Sequence, residues 1–382
     1  MNTEPSGTDP QFSPAEVSRY RRQLSLAGFG RAAQARLRAG HVAVIGAGGL
    51  GSPALLYLAG AGIGRITVFD DDTVGVSNLH RQVIHTNAAA RANEPKAESA
   101  RRAMLALNPT VEVNAVSTRL NADNAEELLA DADVVLDGSD NFATRYLASY
   151  ACARRGIPHV WASILGFDAQ MTVFWAGRGP IYEDLFPTPP PAGSVPSCSQ
   201  AGVLGPVVGT VGSAMALEAL KLLTGVGDPL IGQLGYFSAL DGTWEYIPVN
   251  GDPSVAERIR AHGPVTDAPA TEEPTASSPA AYPDVHETET IPAGALVLDV
   301  RNPDEVATFA LDGSVKCPLP RLREGYTPPE VTAALDNDQT VVVHCAGGVR
   351  SAEAVHIFNE RGLTGPLYSL RGGIDAWLDS KG

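Results

Sequence analysis

The stretch HVAVIGAGGLG, residues 41–51, decides how the first part of the chain folds. Its β-branched run is typical of a buried parallel strand, and the run stops at Gly46, the first of four closely spaced glycines. The charge-free segment continues to Gly64, but its glycines and Pro53 break it into shorter pieces. We therefore predict a strand, a turn and a helix here instead of a membrane span.

Strand-like and helix-like stretches alternate after this motif. The strand-like stretches RITVFD (65–70), VEVNAVS (111–117) and VVLDGSD (134–140) are separated by helical ones. Such alternation builds a parallel sheet that is covered by helices, which is an α/β fold. Two more strand-like stretches, at 158–164 and 169–177, come before an irregular Pro-rich loop.

Composition narrows the classes of function. The chain has 382 residues, enough for two or three domains, and its formal net charge of −15 makes nucleic acid a poor partner. Four cysteines in so long a chain do not make a disulfide framework, so we expect a cytoplasmic protein. The first residues lack a basic start and an apolar run, so we expect neither a secretory signal nor a membrane partner.

A change of composition marks a boundary between domains. Between Arg260 and Arg301 there is no Lys or Arg, and Pro, Ala, Thr and Glu dominate. Such a segment cannot bury a core, so we predict a flexible linker between two separately folded units. The predicted divisions are a flexible N-terminus (1–15), a nucleotide-binding domain (16–254), the linker (255–285) and a small α/β domain (286–382).

Polar residues after the glycine turn indicate chemistry on a triphosphate. Asp70 ends the next strand 19 residues after Gly51, a spacing that suits a carboxylate binding ribose hydroxyls. An amide, two cations and a further carboxylate follow: Asn78, Arg81, Lys96 and Asp140. Breaking a triphosphate requires cations because charge builds up on the phosphorus and on the leaving pyrophosphate. Asp140 is a candidate ligand for Mg²⁺, which prefers one or two carboxylates plus phosphate oxygens.

Several alternatives stay open at this point. The glycines can serve close packing of helix and strand alone, and Arg81 and Lys96 can form ordinary surface ion pairs. The chain can also be an NAD-dependent oxidoreductase with an accessory redox domain, or a binding module in which either domain has lost its chemistry. Tight NADH binding without ATP–pyrophosphate exchange would favour the oxidoreductase.

Six motifs, in order over about residues 16–250, carry a family resemblance: RYRRQ, GAGGLGS, DDDTVxxSNLHRQ, PKxES, DxSDN and SCxxxGVLGP. This part of the chain resembles the activating enzymes of ubiquitin-like sulfur carriers, which adenylate the small subunit of molybdopterin synthase and the thiazole-synthesis carrier. The resemblance implies a Rossmann-like nucleotide-binding domain with a mixed sheet, use of ATP and Mg²⁺, and a homodimer. Its implied partner is a small ubiquitin-like sulfur carrier protein with a C-terminal Gly-Gly.

The same resemblance implies roles for individual residues. The carrier's terminal carboxylate attacks the α-phosphate of ATP to give an acyl-adenylate and pyrophosphate, with Arg81 and Asp140 as catalytic groups and Asp140 holding magnesium. Arg22 reaches the ATP of a neighbouring subunit, although the sequence alone equally allows a surface charge on a helix. The implied nucleotide-binding residues are Gly49, Asp70, Ser77, Asn78, Leu79, His80, Arg81, Lys96, Asp140, Asn141 and Arg22.

One departure from the family pattern concerns zinc. Many members carry two CxxC pairs that bind structural zinc, but this chain has IYED at 181–184 where the first pair should be. No cysteine lies between Cys198 and Cys317, and no histidines cluster nearby. Because a tetrahedral zinc site would lack ligands, we expect no structural zinc.

The tail of the chain holds a cysteine in a loop. Cys345 lies where the strand-like TVVVH runs into a glycine-containing loop and an amphipathic helix, so loop N–H groups and Arg350 are expected to stabilise its thiolate. The motifs VLDVRNPDE, CxxGxRS and LRGGIDAW, over about 286–380, resemble rhodanese-type sulfurtransferases. That resemblance implies a rhodanese-like domain in which Cys345 carries a persulfide, loaded by thiosulfate or a cysteine desulfurase. A phosphatase is disfavoured because its Cys-to-Arg loop is one residue longer.

Three further cysteines, Cys198, Cys152 and Cys317, lie outside the Cys345 loop. Cys198 follows the Pro-rich loop and either forms a transient acyl or disulfide link to the carrier or packs as a small residue. Cys152 and Cys317 are most simply packing residues. Together the two units would convert a carrier carboxylate into a thiocarboxylate, and the linker would raise the local persulfide concentration.

Overall fold

The structure is a computed structural model that describes residues 11–190, 202–265 and 282–380. The chain divides into two compact units, Met1–Pro269 and Ala270–Gly382. Each unit has its own sheet and its own hydrophobic core.

A mixed eight-stranded sheet forms the centre of the first unit. Its strands are β1 (His41–Ile45), β2 (Arg65–Phe69), β3 (Glu112–Val116), β4 (Val134–Asp137), β5 (His159–Leu165), β6 (Asp168–Phe174), β7 (Gln233–Ser238) and β8 (Thr243–Pro248). Their order is β3-β2-β1-β4-β5-β6-β7-β8. Strands β1 to β5 run parallel, and β6, β7 and β8 follow as antiparallel neighbours. The predicted Rossmann-like domain with a mixed sheet is confirmed.

Helices cover both faces of this sheet. They are α1 (Pro14–Leu24), α2 (Gly30–Ala39), α3 (Gly51–Ala61), α4 (Asn87–Arg91), α5 (Lys96–Leu107), α6 (Ala125–Leu128), α7 (Phe142–Arg155), α8 (Tyr182–Leu185), α9 (Gly205–Thr224) and α10 (Pro253–His262). Val42 and Val44 of β1 pack with α3, α5 and α9, whereas Ala43 and Ile45 pack with α6 and α7. All five residues of β1 are buried, which explains why Val42 to Ile45 are all apolar instead of alternating.

Among the described residues, α9 is the one helix long and apolar enough to cross a membrane by length and composition. Val211 and Met215 of this helix lie in the core of the first unit. A Cβ atom at Gly212 would lie 2.3 Å from the backbone oxygen of Leu50, so α9 and the start of α3 are in close backbone contact. The packing of α9 is therefore that of a core helix.

The predicted linker begins too early and ends too late. Residues 253–262 form α10, which is capped by Asp252 and buries Ala256 and Ile259 against α7. At the other end, the Asp284 carboxylate lies 2.9 Å from Nδ1 of His356 in the second unit. Composition misplaced both ends because one buried face of a short polar helix, or one polar contact, is enough to hold a segment in place.

The second unit is a smaller, wholly parallel α/β domain. Its strands are β9 (Glu287–Thr288), β10 (Leu296–Asp299), β11 (Val315–Lys316), β12 (Val341–His344) and β13 (Leu367–Leu370), in the order β11-β10-β12-β13-β9. Its helices are α11 (Pro303–Thr308), α12 (Leu319–Arg323), α13 (Pro329–Asp336), α14 (Val349–Glu360) and α15 (Gly373–Asp379). Leu298, Val343 and Phe358 are fully buried in its core. Cys317 is also buried there, as predicted for a packing residue.

Candidate active sites

The glycine turn lies where the strand order of the large sheet reverses. Strand β1 has β2 on one side and β4 on the other, so the connections after β1 and β4 leave toward opposite faces. In open α/β sheets, ligands bind in the crevice at the carboxyl ends of the strands at such a point. The two loops are in contact, because a Cβ atom at Gly138 would lie 3.3 Å from both Gly51 N and Ile45 O.

Close approach and backbone conformation both require glycine in this turn. Gly46 has a φ of +88°, and a Cβ atom at Gly51 would lie only 1.9 Å from the Gly46 oxygen. A Cβ atom at Gly49 would lie 3.2 Å from Cγ1 of Val208, so the turn also packs closely on this side chain. Helix α3 starts at Gly51 without a side-chain cap, so its first N–H groups are suited to bind an anion. The glycines therefore serve packing and add no side chains of their own over the amides of the turn.

Asp70 ties the end of β2 to this turn. Its Oδ2 accepts a hydrogen bond of 2.7 Å from Ala47 N, and its Oδ1 accepts one of 3.0 Å from Asp72 N. Burial raises the pKa of Asp70, while the charge of Lys96 and the two N–H donors oppose that rise. The predicted ribose-binding carboxylate thus lies directly beside the glycine turn.

Lys96 is the first residue of α5 and is almost buried. Its Nζ lies 2.9 Å from Oδ2 of Asp72; the Lys96 side chain is 9% exposed and that of Asp72 is 71% exposed. The ammonium group is close enough to Asp70 to act on the pKa of that carboxyl. Lys96 is therefore an ion-paired cation beside the turn, and its predicted role on phosphates stays a prediction.

The segment after β2 folds as a short 3₁₀ turn at Val76–Asn78. The Asn78 side-chain oxygen accepts a hydrogen bond from Gly75 N, and Arg81 Nη1 donates to the Ser77 oxygen at 3.1 Å. The other two predicted residues of the segment have backbone or apolar contacts. Leu79 packs against the small cluster of Val74, Ala89 and Ala90, and the His80 oxygen would be 2.4 Å from a Cβ atom at Gly205. This last contact places the SNLHR segment against the start of α9.

Asp140 and Asn141 come directly after β4 and have different surroundings. Asp140 is exposed at the switch point. Asn141 accepts a hydrogen bond of 2.9 Å from Thr144 N and so caps α7. The predicted nucleotide contact of Asn141 remains a prediction, whereas its capping role is a local structural one that the motif did not indicate.

Two buried residues that the sequence analysis did not assign hold the Asp140 loop. Oδ1 of Asp137 accepts a hydrogen bond of 2.9 Å from Ser139 N, and Nη2 of Arg145 donates to the Ser139 oxygen at 3.2 Å. Asp137 is fully buried, and hydrogen bonding to His159 holds its pKa below the usual value despite that burial. The only sequence signal was the position of Asp137 inside the DxSDN motif.

Arg22 does not join the site of its own chain. It is exposed on α1, beside Gln23, whose Nε2 donates to the Ala61 oxygen at the far end of α3. Helix α3 has 11 residues, which puts its ends about 16 Å apart. Within one subunit Arg22 is therefore distant from the glycine turn.

Cys345 follows β12 in the second unit and is only 1% exposed. Its Sγ accepts a hydrogen bond of 3.1 Å from Gly348 N, and Ser351 Oγ lies 3.6 Å away. Gly348 has a φ of +95° and caps the start of α14. Gly373 must be glycine, because its φ is +64° and a Cβ atom there would lie 2.0 Å from the Ala346 oxygen. The loop thus holds the sulfur against the backbone amide of Gly348.

Arg350 has a partner that the sequence analysis did not identify. Its two terminal nitrogens each lie 2.7 Å from a carboxylate oxygen of Glu305, at the start of α11. This hydrogen bonding to Glu305 raises the pKa of Arg350, and the nearby Cys345 adds to the effect. The predicted role of Arg350 in stabilising the charge on the sulfur stays a prediction, and the structure adds that both oxygens of Glu305 bind the guanidinium.

The described residues do not form a cluster of three or more His, Cys, Asp or Glu side chains placed to hold a metal ion. At the position of the missing CxxC pair, Ile181 and Tyr182 are buried, and Asp184 accepts hydrogen bonds from Ile181 N and Asp252 N. The absence of structural zinc stays a prediction. Cys198 lies outside the described residues. Cys152 is buried, and that burial raises its pKa, which fits the predicted packing role.

The fold and the two sites together define a class of α/β enzymes with two units. The first unit has a crevice for a nucleotide at the switch point of its sheet, and the second has a cysteine held in a loop. The chain belongs to the ThiF family, which matches residues 20–256, and a rhodanese-like domain matches residues 285–380. The protein is an adenylyltransferase and sulfurtransferase, and membership of the ThiF family implies that it uses ATP. The oxidoreductase alternative is not favoured.

Named relatives agree with this assignment. The chain is 40% identical to the probable adenylyltransferase/sulfurtransferase MoeZ of Mycobacterium tuberculosis, over 96% of this chain and 94% of the relative. It is 46% identical to the sulfur carrier protein adenylyltransferase of Thermus thermophilus, over 64% of this chain and 91% of the relative. The crystal structure of E. coli MccB shares the fold of the first unit, with a TM-score of 0.56, 20% identity and coverage of 63% of this chain and 72% of that chain.

Proposed function

We propose that this protein adenylates the C-terminal carboxylate of a small ubiquitin-like sulfur carrier and then delivers sulfur to it from a persulfide on Cys345. One observation carries the proposal. A single chain contains a glycine turn at a sheet switch point, with carboxylates beside it, and a cysteine whose sulfur accepts a hydrogen bond from a loop amide. The name of the Thermus relative supports a sulfur carrier as the partner.

In the first step, the crevice binds ATP and the carrier's terminal glycine. The amides of the glycine turn and the start of α3 suit the phosphates, and Asp70 suits the ribose hydroxyls. A carboxylate oxygen of the carrier forms a bond to the α-phosphorus while the bond to the bridging oxygen breaks. Pyrophosphate leaves and the acyl-adenylate remains.

Magnesium fits this crevice through Asp140. An exposed carboxylate at the end of β4 is the kind of ligand that Mg²⁺ combines with phosphate oxygens and water, without a closed protein cage. When bound, the ion would neutralise charge on the phosphates. Asp137 and Arg145 hold Ser139 from its two sides and so fix where the Asp140 carboxylate is presented.

In the second step, the Cys345 thiolate attacks the transferable sulfur of a donor and the donor's remainder leaves, which gives Cys345 persulfide. The terminal sulfur then attacks the acyl carbon, AMP leaves, and an acyl disulfide joins the carrier to Cys345. The thiolate of a second thiol then bonds to Sγ of Cys345 while the sulfur–sulfur bond of the acyl disulfide breaks, so the thiocarboxylate leaves and a mixed disulfide remains on Cys345. A further low-molecular-weight thiol reduces this disulfide and restores the Cys345 thiolate. Cys198 is our candidate for a transient acyl or disulfide link to the carrier.

The protein would work as a homodimer in the cytoplasm. Arg22 is exposed and about one helix length from its own glycine turn, so a role on ATP requires the site of a second subunit. Arg22→Ala enzyme should therefore regain exchange activity when mixed with Asp140→Ala enzyme, because a mixed dimer contains one intact site. Failure to regain it in an exchanging dimer would contradict the role of Arg22 across the interface.

Separate substitutions test the two activities. Asp140→Ala should abolish ATP–pyrophosphate exchange and leave thiosulfate–cyanide sulfur transfer unchanged, and Cys345→Ala should do the reverse. Asp123→Ala, at an exposed carboxylate, and Cys317→Ala, at a buried thiol, are matched controls that should keep both activities. Loss of both activities in either test variant would contradict the division of tasks.

Capture of proteins that end in Gly-Gly, followed by mass measurement of the carrier, would identify the product.

A further inference from the structure

Three arginines near the Cys345 loop are each paired with carboxylates. Arg350 is bound by both oxygens of Glu305, and the side chains of this pair are 23% and 17% exposed. Two further arginines lie near the loop. Arg301 is bound by both oxygens of Asp299, and Arg371 is bound by Glu287 and Glu289. The loop therefore has positive groups nearby but no excess positive charge from these arginines.

Glu305 is fixed from two directions. Its Oε2 accepts a hydrogen bond of 3.0 Å from Asn302 N at the start of α11, in addition to the bond from Arg350. Hydrogen bonding to Arg350 holds the pKa of Glu305 below its usual value, so the carboxylate is ionised at neutral pH. Arg350 cannot turn to an incoming anion without breaking a bidentate ion pair.

The two kinds of sulfur donor, thiosulfate and a persulfide, differ in charge. Thiosulfate is a dianion, and moving it from water to this loop would require a cation that is not already neutralised. A persulfide carries at most one negative charge on its sulfurs, and the amides at the start of α14, such as Gly348 N, can stabilise that charge.

We infer that Glu305 is a specificity-determining residue that keeps Arg350 from a free dianionic donor and selects a donor whose sulfur is carried as a persulfide. This inference rests on the proposed sulfur transfer through Cys345. With a persulfide donor, the Cys345 thiolate bonds to the outer sulfur, the sulfur–sulfur bond of the donor breaks, and a donor thiolate leaves. With thiosulfate the same attack releases sulfite.

The test compares two donors, thiosulfate and cysteine persulfide, on the full chain. Glu305→Gln should raise kcat/KM for thiosulfate about tenfold, mainly through a lower KM, because a charged hydrogen bond from the released Arg350 becomes available to the dianion. The value for cysteine persulfide should change less than about twofold. The gain should vanish in a variant that carries both Glu305→Gln and Arg350→Gln.

Glu353→Gln is the matched control. Glu353 forms a similar bidentate pair with Arg323 in the same unit, at 2.7 and 2.8 Å, so this change removes an equal charge without releasing Arg350. An equal gain in Glu353→Gln, a gain that persists without Arg350, or a parallel loss for both donors in a folded Glu305→Gln protein would overturn the inference. If the unchanged chain transfers sulfur from neither donor, the proposed sulfur transfer fails instead.

Discussion

Single residues link the glycine turn to the rest of the nucleotide crevice. His85 is an example, since its Nε2 lies 3.0 Å from the Ala47 oxygen and its Nδ1 lies 2.9 Å from Ser99 Oγ. No sequence motif placed His85 against the turn. Asp70 Oδ2 accepts a hydrogen bond from the N–H of the same Ala47, so both backbone polar groups of this residue are held by side chains.

His85 should make stability depend on pH. Burial lowers its pKa to about 4, against an ordinary 6.5, so between these values the unfolded chain binds more protons than the folded one. Stability should therefore fall as pH falls from about 6.5 to 4, by on the order of 3 kcal/mol from this residue. Chemical unfolding at several pH values measures the effect.

A substitution isolates the contribution of His85. His85→Gln should be less stable at pH 7 but should flatten the slope between pH 6.5 and 4. His262→Gln, at an exposed histidine, should keep the slope of the unchanged protein. A slope that is the same in His85→Gln would show that other groups cause the pH dependence.

Whole elements place the reactive groups at strand ends. The loops after β1 and β4 meet because these strands are neighbours, and the loop after β12 meets the start of α15 through Gly373. In both units a helix begins directly after the reactive loop and supplies N–H groups: α3 after the glycine turn and α14 after Cys345. Close backbone contact, more than side-chain chemistry, shapes both loops.

Gly373→Ala should disturb the Cys345 loop. The added Cβ would lie 2.0 Å from the Ala346 oxygen and 2.6 Å from the Cys345 oxygen, so the loop has to move. Sulfur transfer from cysteine persulfide should fall about tenfold or more, with about 1–3 kcal/mol lost from the stability of the second unit.

Gly362→Ala distinguishes a steric clash in the loop from the conformational cost of replacing a glycine at positive φ. Gly362 has a similar φ of +75° with nothing within 4 Å of the added atom, so it carries the conformational cost without the clash. The Gly362→Ala variant should unfold at a lower temperature, but its rate of sulfur transfer should not change. Equal losses of rate in the two variants would mean that loop contact is not the cause.

At the scale of the whole molecule, the chain joins two units with separate cores and separate chemistry. The function proposed above needs both, because an acyl-adenylate made by one unit is the acceptor for sulfur held by the other. A short flexible tether would keep the two at an effective concentration of about the millimolar range. Joining them in one chain is therefore expected to affect the overall reaction more than either half-reaction.

Cutting the chain between the units tests this expectation. A protease site inserted within residues 266–281, once cleaved, should slow thiocarboxylate formation at micromolar enzyme on the order of a hundredfold. ATP–pyrophosphate exchange and sulfur transfer to cyanide should not change. The same insertion left uncut is the control, and an unchanged thiocarboxylate rate after complete cleavage would count against tethering.

The succession of strands, turns and helices along the chain could be predicted from the sequence. The uniform burial of β1 explains its apolar run, and Gly46 and Gly51 occupy positions that only glycine tolerates. Hydrophobic periodicity and glycine requirements act over a few residues, so a linear pattern records them. The motif residues Asp70 and Lys96 were placed near the turn for the same reason, since they follow or begin elements that end at one edge of the sheet.

The pairing of distant charges was decided by the tertiary structure alone. Glu305 and Arg350 are 45 residues apart, and Glu287 and Arg371 are 84 residues apart. Which charge neutralises which depends on the strands that become neighbours, and no local pattern contains that choice. The sequence by itself thus indicated the two chemistries and candidate residues for them, while only the folded chain determined that Glu305 binds Arg350.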